Sequence, residues 1–457
     1  MSKKLTLLLS DVVALYGALA LVIAVRYSPS TWHAQWQIHL IPFTVLFAAW
    51  VFSFYIANLY EPRILRNNSA FLNRFLQASG VAALLSLLFF YFIPLFGIAP
   101  KVNLFLFLAF FGMLGLAQRA LANRLFANGA KRRVLVLGVN AESIQLAQAI
   151  SENPQLGFRV RALAEATPIA TYASKEPLPL GVDIIEHSVN LISFVREKNI
   201  DIVVVSPEAY RSPQLMPLFE KTVHNRVEFM RLADFTEEIT GTVPLGAISD
   251  QWFIDTMGSP KSNTSIATKR VLDIVAALML SVPTLAITPF VALGIKLSSP
   301  GPILYSHLRS GRNSKPFRIY KFRSMKQDAE ATTGAVWARE GDTRITSFGR
   351  FLRLTRIDEL PQLWNVVRGD ISFVGPRAER PELDAQLAQE IPFYLERYLV
   401  RPGLSGWAQI NYPYGASVED SRRKLEYDLY YMKHQSLALD LEIILKTIST
   451  ALRFAGR

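Results

Sequence analysis

The sequence predicts a membrane protein of several domains: a four-helix transmembrane bundle, a Rossmann-like α/β middle domain, and a C-terminal α/β domain carrying a re-entrant membrane helix. Three observations lead there. The chain starts with four stretches close to the roughly 20 apolar residues that a helix needs to cross hydrocarbon. Short β-branched runs then alternate with helical ones, the pattern of a parallel sheet covered by helices. A fifth apolar run follows, with a proline at its middle and basic residues at both ends. The length of 457 residues fits roughly three units at about 150 residues each. A composition 51% hydrophobic and only 19% charged argues against a wholly soluble protein. The formal charge of +12 suits either nucleic acid or an anionic membrane surface. Hydropathy decides for membrane lipid, and no nucleic acid is expected as a partner. Without cysteine, disulfides, thiolate nucleophiles and cysteine zinc sites are excluded.

The first domain, residues 1–125, holds apolar stretches at about 5–25, 38–60, 75–97 and 102–118. Lys3 and Lys4 precede the first, Arg63, Arg66 and Arg74 lie between the second and third, and Arg119, Arg124, Lys131, Arg132 and Arg133 follow the fourth. The opposite loops offer only Arg26 and Lys101, so the basic bias predicts both ends inside and everything after residue 125 in the cytoplasm. The first span is too long for a signal-peptide core and reads as a retained anchor. Asp11 within it is either a functional intramembrane charge or a carboxylate near the cytoplasmic end that reaches water or a lysine.

Residues 130–255 read as the middle domain. Strands are expected at RVLVLG, FRVRALAEA, DIVVVS and RVEFMRL, with helices near 140–151 and 188–198 and another before the last strand. A dinucleotide fold would place G-x-G-x-x-G after the first strand. Here the turn is Gly138-Val139-Asn140-Ala141-Glu142-Ser143, with one glycine of three and an acid near the helix start that would repel a phosphate. The alternative is a degenerate module serving regulation or subunit contact, which could support a homodimer. Residues 165–182, rich in Pro, Thr and Ala, read as a loop or lid.

The fifth apolar run, residues 271–295, is introduced by Lys269 and Arg270 and closed by Lys296. Crossing would break the positive-inside pattern. Pro283 removes a helical hydrogen bond mid-run and Ser281 can back-bond a freed carbonyl, so a helix-break-helix over 268–297 that dips into one leaflet and returns is expected. A straight, kinked transmembrane helix is the alternative.

Beyond it, cationic residues cluster: Arg309, Arg312, Lys315 and Arg318, then Lys321 and Arg323, which share a face in an extended strand. Arg350, Arg353 and Arg356 follow at three-residue spacing, along one side of a helix that runs into Asp358-Glu359. Arg377 and Arg401 each sit beside a tight turn, in Gly375-Pro376-Arg377 and Arg401-Pro402-Gly403. Repeated guanidinium groups around two acids read as a site for a phosphorylated substrate, Lys321, Arg323, Arg356, Arg377 and Arg401 being the phosphate-contact candidates. The bland alternative is a surface ion-pair network. The six histidines are scattered without metal spacing and read as structural or surface residues. Near the end, Leu441, Ile444, Leu445, Ile448 and Leu452 line one helix face, for the bilayer surface or for packing on the core. Trp364, Trp407 and the tyrosines at 427–431 suit either place.

KRVLD before the proline-broken apolar run, PFRIYKFRSM, TRIDELPQLWNVVRGDISFVGPR, RPGLSGWAQINY and YDLYYMKHQSLALDL occur in this order over about residues 266–457. Together they resemble the bacterial sugar transferase family, the monotopic polyprenyl-phosphate phosphoglycosyltransferases. Four helices and a Rossmann-like domain ahead of them resemble the larger members, which initiate exopolysaccharide or O-antigen assembly. NYPYGAS is closest to the exopolysaccharide branch. The resemblance implies transfer of a sugar 1-phosphate from a UDP-sugar to undecaprenyl phosphate, with release of UMP and use of Mg²⁺, at the cytoplasmic face of a bacterial inner membrane. By the same resemblance Asp358 is the nucleophile that forms a phosphosugar ester and Glu359 its catalytic partner, and a carboxylate of this pair holds the metal. A membrane-anchored nucleotide-sugar dehydratase or epimerase and a non-enzymatic polysaccharide scaffold are the other readings. The missing glycines count against the first, and the clustered acids and arginines against the second.

Overall fold

The computed structural model describes residues 3–92, 101–165, 178–186, 189–213, 215–222, 227–258, 263–326, 344–412, 415 and 417–452. The chain forms two compact units, Met1–Arg231 and Leu232–Arg457.

The first unit begins with helices α1 (Lys3–Arg26), α2 (Trp32–Ile56), α3 (Ser69–Phe92) and α4 (Lys101–Asn128). All four carry a stretch long and apolar enough to cross a membrane. Their shared core is aromatic: Phe43, Phe47, Trp50 and Phe54 of α2 meet Phe75 of α3 and Phe107 and Phe111 of α4, all buried. The Trp50 indole lies edge-on to Phe111 at 4.7 Å and donates to Ser86 Oγ at 3.0 Å. Such interlocking is what holds helices together where the surrounding medium is as apolar as their side chains. Val13, Val25, Ile41, Leu84 and Phe105 point outward, a surface that suits lipid.

Asp11 does not reach water or a lysine. It is fully buried, ion-paired with Arg119 of α4, and accepts from Gln118 Nε2 at 2.5 Å. Arg119 also donates to the Leu59 carbonyl at 2.8 Å. The sequence placed Arg119 in a loop because hydropathy falls there, but the helix continues to Asn128 and carries the guanidinium into the bundle.

The rest of the unit is β1 (Arg132–Leu137), α5 (Ala141–Glu152), β2 (Phe158–Ala164), β3 (Asp183–Ile185), α6 (Leu191–Glu197), β4 (Ile202–Val205), α7 (Leu215–Thr222) and β5 (Glu228–Arg231). All pairings are parallel, in the order β3-β2-β1-β4-β5, a doubly wound Rossmann-like sheet. β3 was not anticipated, being three residues after a polar stretch. Most of that stretch, 166–177, lies outside the described residues. Gly138 adopts φ 103°, and a Cβ there would sit 1.8 Å from Ser206 Oγ, so the single glycine is required by the turn itself. Asn140 caps α5 by accepting from Ser143 N at 2.8 Å and donates to Glu208 at 3.1 Å.

The second unit begins with α8 (Leu232–Thr240) and α9 (Asp250–Met257). Strand-helix alternation assigned residues up to 255 to the middle domain. In the structure Lys433 bridges Asp234 at 3.0 Å and Glu237 at 2.8 Å, and Val243 N donates to the Glu426 carbonyl at 3.0 Å.

Next is α10 (Asn263–Ser298), followed by the antiparallel hairpin β6 (Leu304–Ser310) and β7 (Pro316–Phe322), α11 (Ser347–Leu354), a 3-10 helix Ile357–Gln362 and α12 (Leu363–Arg368). Then come β8 (Ser372–Val374), α13 (Pro381–Glu390), β9 (Gly403–Ser405), α14 (Trp407–Asn411), α15 (Val418–His434) and α16 (Leu437–Leu452).

The break expected at Ser281 and Pro283 does not interrupt α10, which is one 36-residue helix containing Pro283 and Pro289. Each proline removes a single backbone bond, here those to the Met279 and Leu285 carbonyls, and the rest of the ladder carries the helix through. The Ser281, Thr284 and Thr288 hydroxyls fold back on the Ala277, Leu280 and Thr284 carbonyls at 2.7 Å. Most of the helix surface is apolar and exposed, including Leu278, Met279, Val282, Leu285 and Phe290.

In α16 the packed face holds Asp440, Ile443 and Lys446, while Leu441 is exposed. Asp440 binds the Tyr431 hydroxyl at 2.8 Å and Lys269 at 2.6 Å, and these polar anchors set the helix rotation that apolar periodicity alone misjudged. Trp407 and Tyr431 are core residues, and Trp364 is exposed.

Candidate active site

Two local devices bring β7 and the 3-10 helix together. Asn365 of α12 is fully buried and donates to the Arg318 carbonyl at 2.7 Å while accepting from Tyr320 N at 3.2 Å, which clamps β7 alongside the helix. Gly349, in the first turn of α11, lies so close to β7's exit that a Cβ would stand 1.9 Å from the Ser324 carbonyl oxygen. Thr346 caps that helix by accepting from Gly349 N at 2.9 Å.

Arg356 ends the helical run with φ 59°. A non-glycine residue in this left-handed region carries a strain of roughly 1–2 kcal/mol, and here it redirects the chain into Ile357–Gln362. Arg350, Arg353 and Arg356 therefore do not share one helix. At 3.0 residues per turn, neighbours in the 3-10 helix point about 120° apart, so Asp358 and Glu359 occupy different surroundings. Ile357 and Leu360 hold the turn in place by packing with Val291, Ile295, Phe322 and Leu352.

Glu359 accepts from Lys321 Nζ at 2.9 Å and lies 3.8 Å from Arg356 Nη1. Burial works to raise its pKa, but the charges of Lys321, Arg377 and Arg356 prevail and hold it down to about 2. Asp358 is only 6% exposed and its Oδ1 has no hydrogen-bond partner among the described residues. Burial, and then the adjacent Glu359 charge, push its pKa up to about 6 against the pull of Lys321, Arg353 and Arg356. One carboxylate is thus engaged and ionised, and its neighbour has a buried oxygen with no partner among the described residues.

The five cationic candidates fall into three places. Lys321, Arg356 and Arg377 surround the acids. Arg323 leaves the end of β7 in the other direction and donates to Ser299 O at 2.6 Å and Ser299 Oγ at 3.0 Å, with its Nε and Nη1 buried and unpartnered. Strand alternation placed it beside Lys321, but β7 ends at Phe322, before the alternation reaches it. Arg401 is separate again. Its pKa is lowered by partial burial and then by Arg270 and Arg312, with Asp273 opposing. The parallel pair β8–β9 sets this arrangement, pressing Gly375 against the Arg401 carbonyl so closely that a Cβ would come within 2.3 Å. Two further groups belong to the site and were not singled out for it. Arg353 acts on Asp358 and donates to Ser324 Oγ at 2.9 Å, and Glu379 pairs with Arg309 at 3.1 Å and lies 4.0 Å from Arg377.

No group of three or more His, Asp or Glu side chains arranged for a metal occurs among the described residues. The donor set still fits Mg²⁺, which binds through one or two carboxylates and completes its shell with water and substrate phosphate oxygens. Asp358, with its unpartnered Oδ1, and Glu359 are the residues that would hold it.

Residues 264–454 match the family described as bacterial sugar transferase, and residues 55–231 match the one described as CoA-binding domain. The UDP-glucose:undecaprenyl-phosphate glucose-1-phosphate transferase of Xanthomonas campestris is 31% identical over 353 residues, which cover 74% of this chain and 70% of that protein. The chain belongs to the bacterial sugar transferase family. The UDP-N-acetylgalactosamine-undecaprenyl-phosphate N-acetylgalactosaminephosphotransferase of Aeromonas hydrophila is 43% identical to this transferase over 226 residues, 49% of the chain and about half, 52%, of that protein. The exopolysaccharide production protein PSS of Rhizobium leguminosarum is 40% identical over 189 residues, 40% of this transferase and 94% of its own length.

Proposed function

We propose that this transferase moves a sugar 1-phosphate from a UDP-sugar to undecaprenyl phosphate, giving undecaprenyl-diphosphate-sugar and UMP, as the first step of exopolysaccharide or O-antigen assembly. The observation that carries it is the unpartnered Oδ1 of Asp358 beside a Glu359 already neutralised by Lys321, Arg356 and Arg377. An Asp358 oxygen attacks the β-phosphorus of the donor. The bond between that phosphorus and the bridging oxygen breaks, and UMP leaves with the electron pair. An oxygen of the lipid phosphate then attacks the same phosphorus and releases the Asp358 carboxylate. The ionised aspartate needs no base, and its phosphosugar ester is a mixed anhydride reactive enough for the second transfer. Lys321, Arg356 and Arg377 offset charge as the nucleotide departs. Bound Mg²⁺ would neutralise the pyrophosphate against the two acids.

The same proposal places α10 within one leaflet and the catalytic unit on the cytoplasmic face of the inner membrane, the four N-terminal helices spanning it. Near its start, Arg270 donates to the Val366 and Val367 carbonyls at 2.5 and 2.6 Å, and Asp273 accepts from Phe373 N at 3.3 Å. Near its end, Val291 and Ile295 pack on Phe322 and Leu352. A straight helix would separate Arg270 from Ile295 by about 37 Å at 1.5 Å per residue, more than the roughly 30 Å of hydrocarbon. Attachment of both ends to one small domain supports a helix that bends at its prolines and returns.

The test is to offer the purified protein a panel of UDP-sugars with undecaprenyl phosphate and Mg²⁺ and to measure UMP and lipid product. UMP release by the wild type and none by Asp358→Asn is expected, and full turnover by the variant would exclude the nucleophile. Sugar phosphate trapped on the protein before lipid is added identifies the covalent route.

A further inference from the structure

β6 carries an imidazole whose hydrogen bonding is incomplete. Tyr305, His307 and Arg309 alternate along the strand and face the same side of the hairpin as Lys321, which is paired across from Tyr305. Arg309 Nε donates to His307 Nε2 at 2.8 Å. A guanidinium has no lone pair to offer, so Nε2 must be the accepting nitrogen and the ring proton of neutral His307 resides on Nδ1. Arg309 is itself held by the Ala378 carbonyl at 2.9 Å and by Glu379 at 3.1 Å. The tautomer is therefore fixed from behind. The Nδ1 donor is buried and has no acceptor among the described residues. Tyr305 packs against the ring at 5.3 Å between centroids, which fixes its plane.

Burial, and then the charges of Arg309, Arg380, Lys321 and Arg377, push the imidazole pKa down to about 2. Of these, Lys321 shares the ring's side of the hairpin. Lys321 and Arg377 are also the cations that act on Glu359. A fixed neutral donor among cations calls for an anionic acceptor with several oxygens, which is the chemistry of a phosphate. Two phosphates visit the active site, that of the nucleotide and that of the lipid. β6 starts six residues after α10 and rises about 3.4 Å per residue, so His307 stands farther along the strand from the apolar helix than Tyr305 does.

We propose that His307 is a binding residue for the nucleotide half of the donor, its Nδ1–H directed at a phosphate oxygen of the uridine diphosphate that Lys321 and Arg377 also hold. This rests on the proposed reaction and assigns part of its substrate site. His307 takes no proton in the reaction, and its function is to orient the leaving nucleotide. Arg309 and Tyr305 are positioning residues acting through it.

The experiment uses the full chain in detergent or nanodiscs and measures UDP and UMP binding by calorimetry, KM for the UDP-sugar and for undecaprenyl phosphate, and the pH profile. His307→Phe keeps the ring and removes the donor, and His307→Asn restores an N–H near the Nδ1 position. His307→Phe is expected to weaken UDP and UMP binding and raise the UDP-sugar KM by about 10-fold or more, with the lipid KM and the pH profile unchanged. His307→Asn is expected to recover most of the affinity. Unaltered UDP binding by a His307→Phe protein of wild-type Tm would overturn the proposal, as would a rise confined to the lipid KM, which would assign the donor to the lipid phosphate. A moved pH limb would overturn it by making His307 a proton carrier. Should the wild type turn over no UDP-sugar yet bind UDP in a His307-dependent way, the reaction would fail and the subsite would stand.

Discussion

At the residue scale the decisive contrast is between two adjacent carboxyl groups. Burial and the Glu359 charge raise Asp358 to about 6, whereas Lys321, Arg377 and Arg356 overcome burial and keep Glu359 near 2. In the proposed reaction Asp358 attacks in its ionised form, whose fraction falls as pH drops below about 6 and is nearly complete above 7. We expect kcat/KM, which reports the free enzyme, to decline about tenfold per unit below that limb and to be flat above it. A profile flat down to pH 5 would show Asp358 held ionised below this value, as the Mg²⁺ it is proposed to bind would hold it. Asp358→Asn should lose activity by at least about 10³-fold, the scale set by deleting a catalytic nucleophile. The acids were legible because the chemistry is local, two neighbours preceded by arginines. Arg401 and Arg323 were not, because their directions depend on the close approach of β8 to β9 and on where β7 ends, and neither is written in residue spacing.

At the element scale, the α1–α4 bundle and α10 solve the same problem, a polar group inside an apolar run, in different ways. α1 buries Asp11 against Arg119 of α4, with both side chains fully buried. Removing one partner of such a pair leaves an uncompensated charge and costs roughly 3–5 kcal/mol, whereas replacing both with apolar side chains is close to neutral. Arg119→Met should therefore lower the unfolding temperature of the purified protein sharply, and Asp11→Leu combined with Arg119→Met should restore most of it. Equal destabilisation by the single and double variants would refute the pairing. The four apolar stretches were legible from length, but the pair was hidden because α4 extends beyond its hydropathic end. In α10 the hydroxyls of Ser281, Thr284 and Thr288 fold back onto the Ala277, Leu280 and Thr284 carbonyls, so these side chains meet their own helix and not lipid. Replacing both Pro283 and Pro289 with alanine restores the backbone donors and removes the reason to bend. On the proposed re-entrant geometry a straightened helix would pull Arg270 from α12 or Ile295 from Phe322, so activity should fall while helix content by circular dichroism does not. Wild-type turnover by the double variant would separate the prolines from the bend.

At the scale of the whole molecule, the two compact units carry different kinds of legibility. The parallel sheet of the first followed from alternating β-branched and helical runs, with only the three-residue β3 missed. The sequence carried the middle domain to residue 255, whereas the compact unit ends at Arg231; the partners of Asp234, Glu237 and Val243, Lys433 and Glu426, lie nearly 200 residues away, beyond the reach of local pattern. The reaction needs a soluble nucleotide donor and a lipid acceptor at one site, and this turns topology into a chemical requirement. In the proposed topology, residues around Ser30 are outside and those around Lys131 inside, as the alternation of basic loops predicts. If α10 returns to the leaflet it entered, Lys315 beyond it is inside as well. The absence of native cysteine makes this directly measurable, since any introduced thiol is labelled without background. In intact cells a membrane-impermeant maleimide should label Ser30→Cys and should reach Lys131→Cys and Lys315→Cys only after permeabilisation. Labelling of Lys315→Cys from outside, with Lys131→Cys still protected, would mean that α10 crosses the bilayer, and it would place the aspartate on the side of the membrane opposite its nucleotide.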